Sequence, residues 1–358
     1  MSREAAAESE PPRDAPAPRP RLPASEWEHW DDERLLDLRL CDLDLSLSGG
    51  PIAERIAQLQ AELEAAGLGF RPDFWLSDEW FTPDGVPGVA VPFYLAHARL
   101  QRLELTQMLE VEGGTPEWCL RILRHEAGHA LDNAYRLRLR RRRQRLFGRS
   151  SVPYPESYAP KPYSKSYVAH LEAWYAQSHP DEDFAETFAV WLTPASDWRR
   201  RYAGWPALRK LEYVDELMRE LAGQPPVVGS SRAVEPLSSL RRTLRTHYRR
   251  RRAHYRVEGV DSYDAELLRV FVGPTEASGP SAAAFLKRIR KDSRRLVRRF
   301  TGQRLYLIDQ VLGDMIERCR ELGLRLAVPE EQARLEFTVL LTVQTMSTLY
   351  SGRHRLPL

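Results

Sequence analysis

From Pro51 to Ala66 the apolar residues Ile52, Ile56, Leu59 and Leu63 recur every three or four positions, predicting a helix with one buried stripe. Gly67 and Gly69 stop it. The period then changes. Phe70–Leu76 and Gly88–Leu95 read as extended segments on either side of a turn at Thr82-Pro83-Asp84-Gly85, and more β structure is expected over Leu100–Val111. Pro92 belongs at an edge or a strand end, so Gly88–Leu95 is the expected edge strand. Thr115, Pro116 and Glu117 make a helix start: an N-cap, a proline at the first helical position and an acid behind it. The helix is expected to run through His125 and His129 and the arginines of Arg138–Arg145 to Phe147-Gly148. Four prolines (Pro153, Pro155, Pro160, Pro162) exclude helix from 149–166, which reads either as a cleft wall or lid or as a surface connection. Helices are expected again over Ser166–Tyr175 and Asp181–Leu192, with further turns to about Leu221.

These elements predict an α+β, predominantly helical chain. Residues 1–25, rich in Pro, Ala, Glu and Arg, are expected to be a disordered tail. A first domain spans 26–223, a Pro- and Gly-containing linker 224–238, and a mostly helical accessory domain 239–358, with a short strand near Leu267–Val272.

Composition narrows the classes. The 358 residues suffice for about two domains, and 42% hydrophobic with 29% charged residues is too apolar for general disorder. No run approaches the ~18 apolar residues of a membrane span; the nearest, Phe337–Leu349, is broken by Thr and Gln. Glu4, Glu8 and Glu10 stand where an export signal needs a basic start. Cys41, Cys119 and Cys319 are odd in number and far apart, so no disulfide framework is expected. The expectation is a cytoplasmic protein with no membrane partner. Net charge is only +3, but the arginines cluster. Arg249–Arg252, flanked by His247, Tyr248, His254 and Tyr255, is the one cluster that suits a nucleic-acid partner.

The candidate chemistry lies in His125-Glu126-Ala127-Gly128-His129. Positions four apart share a helix face, so both imidazoles can bind one cation, with Glu126 beside them as a proton acceptor. Two imidazoles and a carboxylate suit zinc with one position left open. A compact metzincin site would need Gly at 132 and His at 135; Asp132 and Tyr135 exclude it. A remote acid remains, in His179-Pro180-Asp181-Glu182-Asp183-Phe184-Ala185-Glu186. Glu182 and Glu186 lie on one face, so the first can bind metal while the second orients a ligand histidine. Acids in a first turn also suit the helix dipole alone. His179 competes as third ligand but, ahead of Pro180, reads better as a cap. Asp132 reads as either a brace for a ligand or the partner of an arginine.

With Arg-His-Glu-Ala-Gly-His-Ala upstream, the string from Tyr175 through Glu186 to Phe188 resembles the zinc-binding metallopeptidases of bacteria, a gluzincin-type group. Its second motif is similar to that of the catalytic domain of anthrax lethal factor, with a Tyr seven residues before the ligand Glu and a second Glu four after it. The resemblance covers about residues 50–215. It implies a zincin fold, a small twisted sheet over an active-site helix. It also implies one Zn2+ per chain held by His125, His129 and Glu182, with Glu186 behind them. Glu126 would be the general base for a metal-activated water, and Tyr175 would donate to the oxyanion. The implied activity is hydrolysis of peptide bonds in a peptide or protein bound extended along a sheet edge. Two other classes stay open: a non-catalytic zinc- or peptide-binding relative, and an Arg-rich nucleic-acid-associated protein carrying a peptidase-like domain. Substrate preference and oligomeric state are not written in any motif.

Overall fold

A computed structural model describes residues 21–155, 157–229, 232–255, 263–350 and 356–357. It is predominantly helical, with a few short strands. The expected tail mostly lies outside the described residues, but its last residues are ordered. Leu22–Pro23 pairs in parallel with Leu43–Asp44, and the indole of Trp27 donates to the Leu22 carbonyl at 3.0 Å.

Helix α1, Gly50–Ala65, forms where the Ile/Leu stripe predicts it and ends at Gly67 with φ +79°. Strand β1, Asp73–Ser77, pairs in parallel with β2, Gly88–Pro92, in the register Asp73↔Gly88 to Ser77↔Pro92. The expectation that β2 is the edge is corrected. All five of its residues are buried, and its second side carries an antiparallel bridge from Phe81 to Ala90. The outer position therefore belongs to Trp80–Thr82. Leu100–Val111 is not extended either. Helix α2, Ala98–Met108, occupies it, started by His97, whose Nδ1 accepts from Arg99 N at 3.2 Å. Leu100, Leu103 and Met108 make its buried stripe, a helical spacing that outweighs β propensity.

Helix α3, Pro116–Tyr135, carries the metal motif, and the Thr115 hydroxyl accepts from Trp118 N as a cap. It stops at Tyr135, where Arg136 turns left-handed (φ 51°), instead of running to Phe147. The chain reverses through a short 3-10 turn into α4, Arg141–Phe147. That reversal returns the fully buried Arg143 to Asp132 at 2.6 Å, an ion pair that a continuous helix would forbid. The expected helix over Ser166–Tyr175 is replaced by loop and a 3-10 segment, Glu172–Gln177, in which Ala173 and Trp174 have positive φ. The Leu171 amide donates to Glu186 Oε2 at 2.8 Å, so a side chain competes there with the helical ladder. Helix α5, Pro180–Leu192, packs along α3, and α6, Leu208–Leu221, completes this unit.

The apolar packing does not change partner at 224–238. Leu237, Leu240, Leu244 and Tyr248, the last two in helix α7 (Leu244–His254), join the core built by α1, α2 and α3. A second cluster starts at Tyr263 and is formed mainly by α8, Ala282–Thr301, α9, Leu305–Glu321, and α10, Glu330–Tyr350. The strand expected near Leu267–Val272 reduces to one bridge, Val272↔Arg325, after a helical turn at Asp264–Leu267. Among the described residues no helix is long and apolar enough to cross a membrane.

Candidate metal centre

α3 and α5 pack tightly against each other at Gly128. A Cβ there would lie 3.0 Å from Ala185 Cα and 3.2 Å from its carbonyl oxygen. The missing side chain lets the two motif helices meet backbone to backbone, which brings Glu182 over the His125/His129 face. Three donors converge. His125 Nε2 lies 3.1 Å from His129 Nε2 and 3.0 Å from Glu182 Oε2, and His129 Nε2 lies 3.1 Å from the same oxygen. Tetrahedral donors about 2.05 Å from a zinc ion are about 3.3 Å apart, so this triangle is one face of such a site with little adjustment. Among the described residues this is the group of His, Cys, Asp and Glu side chains close enough to hold one ion.

The other atoms of these three side chains are held in turn. His125 Nδ1 is 2.9 Å from Glu186 Oε1, so Glu186 directs Nε2 toward the centre. Glu182 Oε1 accepts from the Tyr154 hydroxyl at 2.9 Å, and the Tyr154 ring stacks on His179 at 3.7 Å. Tyr154 and Tyr158 of the proline- and tyrosine-rich connection thus line the cavities at the site. Burial opposes charge on His125, but hydrogen bonds from its ring to Glu182 and Glu186 hold the imidazole well above its ordinary range. Burial would raise Glu182, yet His129 and His125 hold it well below the usual carboxylate range. A cation entering this cluster displaces a proton, so its affinity must fall with acid.

Glu126 belongs to the same small cavity but not to the donor triangle. Its Oε2 accepts from the Thr82 hydroxyl at 2.9 Å. That contact depends on Asn133, one helical turn past His129. Asn133 Nδ2 donates to the carbonyls of Pro83 and Val86 at 2.9 Å each, and its Oδ1 accepts from Gly85 N at 3.1 Å, locking the turn that carries Thr82. Tyr175 lines the cavity with Glu126 and Glu182, its ring centroid 5.6 Å from that of His125.

The competing residues are accounted for. His179 caps α5, its Nδ1 accepting from Asp181 N at 3.2 Å and its Nε2 donating to the Val152 carbonyl at 2.8 Å. Asp132 pairs with Arg143, which also reaches Asp181 at 2.7 Å and ties the end of α3 to the start of α5. In the basic cluster, Arg251 is buried on Glu104 at 2.6 Å and Arg252 is bonded to Gln107, which leaves Arg249 and Arg250 exposed. Tyr154, Thr82, Asn133 and Arg143 escaped the sequence reading. Only the tyrosines spaced through 149–166 offered a signal.

No curated protein and no solved structure matches the chain. Residues 119–198, which hold His125, His129 and Glu182, match the family model described as "Putative zinc-binding metallo-peptidase".

Proposed function

We propose that this chain is a zinc-dependent peptidase of the gluzincin type, with a zincin-like arrangement of its motif helices. The observation that carries the reading is the donor triangle of His125, His129 and Glu182, with a carboxylate, Glu126, beside it and outside it. A purely structural zinc site has no use for a neighbouring base. When bound, zinc supplies a Lewis acid that polarises a peptide carbonyl and acidifies a water. Glu126 takes the proton from the attacking water and later returns it to the leaving amine, with Thr82 fixing its carboxylate orientation. Tyr175 donates its phenol hydrogen to the oxygen that gains charge in the tetrahedral transition state, the part its spacing from Glu182 has in the lethal factor motif. Glu186 keeps His125 in one tautomer. An extended peptide adds along Trp80–Thr82, whose one bridge to β2 leaves the side toward the site as the sheet edge.

Elemental analysis of purified protein, with Glu182→Gln and Glu186→Gln variants beside it, tests the reading. About one zinc per chain is expected, lost in Glu182→Gln and weakened roughly 10–100-fold in affinity in Glu186→Gln. Peptide cleavage by the zinc-loaded protein should vanish in Glu126→Gln while zinc is retained. Wild-type protein that takes up no zinc when it is supplied would sink the proposal.

A further inference from the structure

The larger cavity, about 310 Å³, opens beside His125, Glu126 and Tyr175, and its far wall comes from the corner between α8 and α9. Three ion pairs line or flank it: Arg251 with Glu104 at 2.6 Å, Arg298 with Glu110 at 2.9 Å, and Arg304 with Glu112 at 3.1 Å. Each guanidinium therefore has a close carboxylate of its own. Besides Glu126, two lining carboxylates exceed this balance. Glu79 lies 3.6 Å from Arg251 and Glu172 lies 3.5 Å from Arg298, so each only shares a cation already engaged more tightly. His125 and His254 are the other basic residues of the lining. Both surplus carboxylates are about half exposed, 54% and 50%, and so reach solvent at the cavity.

Two further features point the same way. Glu110 Oε2 is buried and accepts no hydrogen bond, its contact with Arg298 being an ion pair without hydrogen-bond geometry. Burial holds this carboxyl above its usual range despite that arginine. The indole of Trp80 supplies aromatic surface to the same lining, while that of Trp118 already faces the Arg298 guanidinium at 5.4 Å. An acid surplus beside the Trp80 indole, in a chain of net charge +3, is a setting for a cation.

We propose that this cavity receives a cationic group of the bound peptide, a primary ammonium or a guanidinium, held by Glu79 and Glu172 beside the Trp80 ring. The inference rests on the peptidase reading and gives it a substrate class. The C-terminal helices then complete the substrate cleft through the corner that carries Arg298 and Arg304. The group can come from a Lys or Arg side chain or from the peptide's N-terminus.

Binding and cleavage test it together, on the full chain. In the binding arm, tryptophan fluorescence follows titration with Nα-acetyl-lysinamide, Nα-acetyl-norleucinamide and norleucinamide. Acetyl-lysinamide should bind about tenfold more tightly than acetyl-norleucinamide. The difference should collapse in Glu79→Gln/Glu172→Gln protein whose melting temperature is unchanged. Tight binding of norleucinamide instead, lost in the same variant, would identify the N-terminal ammonium as the source. In the cleavage arm, zinc-loaded protein digests a mixed peptide library. Lys and Arg, or a free N-terminus, should be enriched at one fixed distance from the cleaved bond. Cleavage without that enrichment, or equal binding of all three amides, overturns the inference and leaves the peptidase reading standing. Charge-selective binding with no cleavage by zinc-loaded protein overturns the peptidase reading and leaves the cation site.

Discussion

The Tyr154 hydroxyl donates a 2.9 Å hydrogen bond to Glu182 Oε1, the carboxylate oxygen turned away from His125 and His129. A residue of the proline- and tyrosine-rich connection thereby sets the carboxylate that faces the histidines. Tyr154→Phe keeps the ring on His179 and removes only the donor. Zinc affinity should fall about tenfold or more, the usual effect of losing an outer partner of a ligand, with little change in melting temperature. Competition with a chromophoric chelator reads this directly. An unchanged zinc Kd would mean that Tyr154 only packs.

Gly128 should tolerate no side chain. Gly→Ala inside a helix is ordinarily worth up to about 1 kcal/mol in favour of alanine. Here the new methyl would meet the Ala185 backbone at 3.0 Å, and neither helix can yield without the other moving. Gly128→Ala should therefore destabilise by about 1–3 kcal/mol in urea unfolding and weaken zinc binding, and Gly128→Val should do worse. A stabilised Gly128→Ala would show that the helices part freely.

Arg143 is fully buried between Asp132 and Asp181. Arg143→Met leaves two buried carboxylates facing each other without their shared cation, which should cost about 3–5 kcal/mol. Adding Asp132→Asn and Asp181→Asn should recover part of that loss. If the triple variant is no more stable than the single one by urea titration, the arginine acts through packing on Phe184 and not through charge.

His247 links stability to pH. Its ring is buried edge-on to Phe93 and Tyr248, facing Arg251, Arg242 and Asp78. Burial, reinforced by those two arginines, holds its imidazole well below the ordinary range. A histidine depressed in this way is neutral in both states above its unfolded value of about 6.5 and binds its proton first in the unfolded chain below it. Its contribution is thus intact above about pH 6.5 and is lost as pH falls from there toward its folded value. His247→Phe should flatten the decline in melting temperature between about pH 6.5 and 5. Parallel wild-type and variant curves would remove His247 from the acid response.

The helix carrying His125 and His129, its Thr115 cap, the helix carrying Glu182 and Glu186, and the turn before Gly85 were all legible. Each is a local pattern, read from residues within a few positions of one another. The failures share a cause as well. Leu100–Val111 carried both an extended and a helical spacing, and only burial against the neighbouring core selects the helix. Ser166–Tyr175 loses its helix to a carboxylate from another element, and the metal helix ends early because a buried arginine eleven residues on must return to Asp132.

What the sequence determined by itself is the donor set: two imidazoles at a spacing that one helix turns to one side, with a carboxylate next to the first. Only the tertiary structure decided that Glu182 and not His179 comes within 3.1 Å of both imidazoles, that Trp80–Thr82 and not β2 is the sheet edge, and that α8 and α9 share a cavity with Glu126. The physical reason is the range of the forces. Helix spacing and capping act over a turn or two of chain. Ligand geometry, charge pairing and cavity shape depend on atoms tens to hundreds of residues apart, brought together by apolar packing that has little sequence signature of its own.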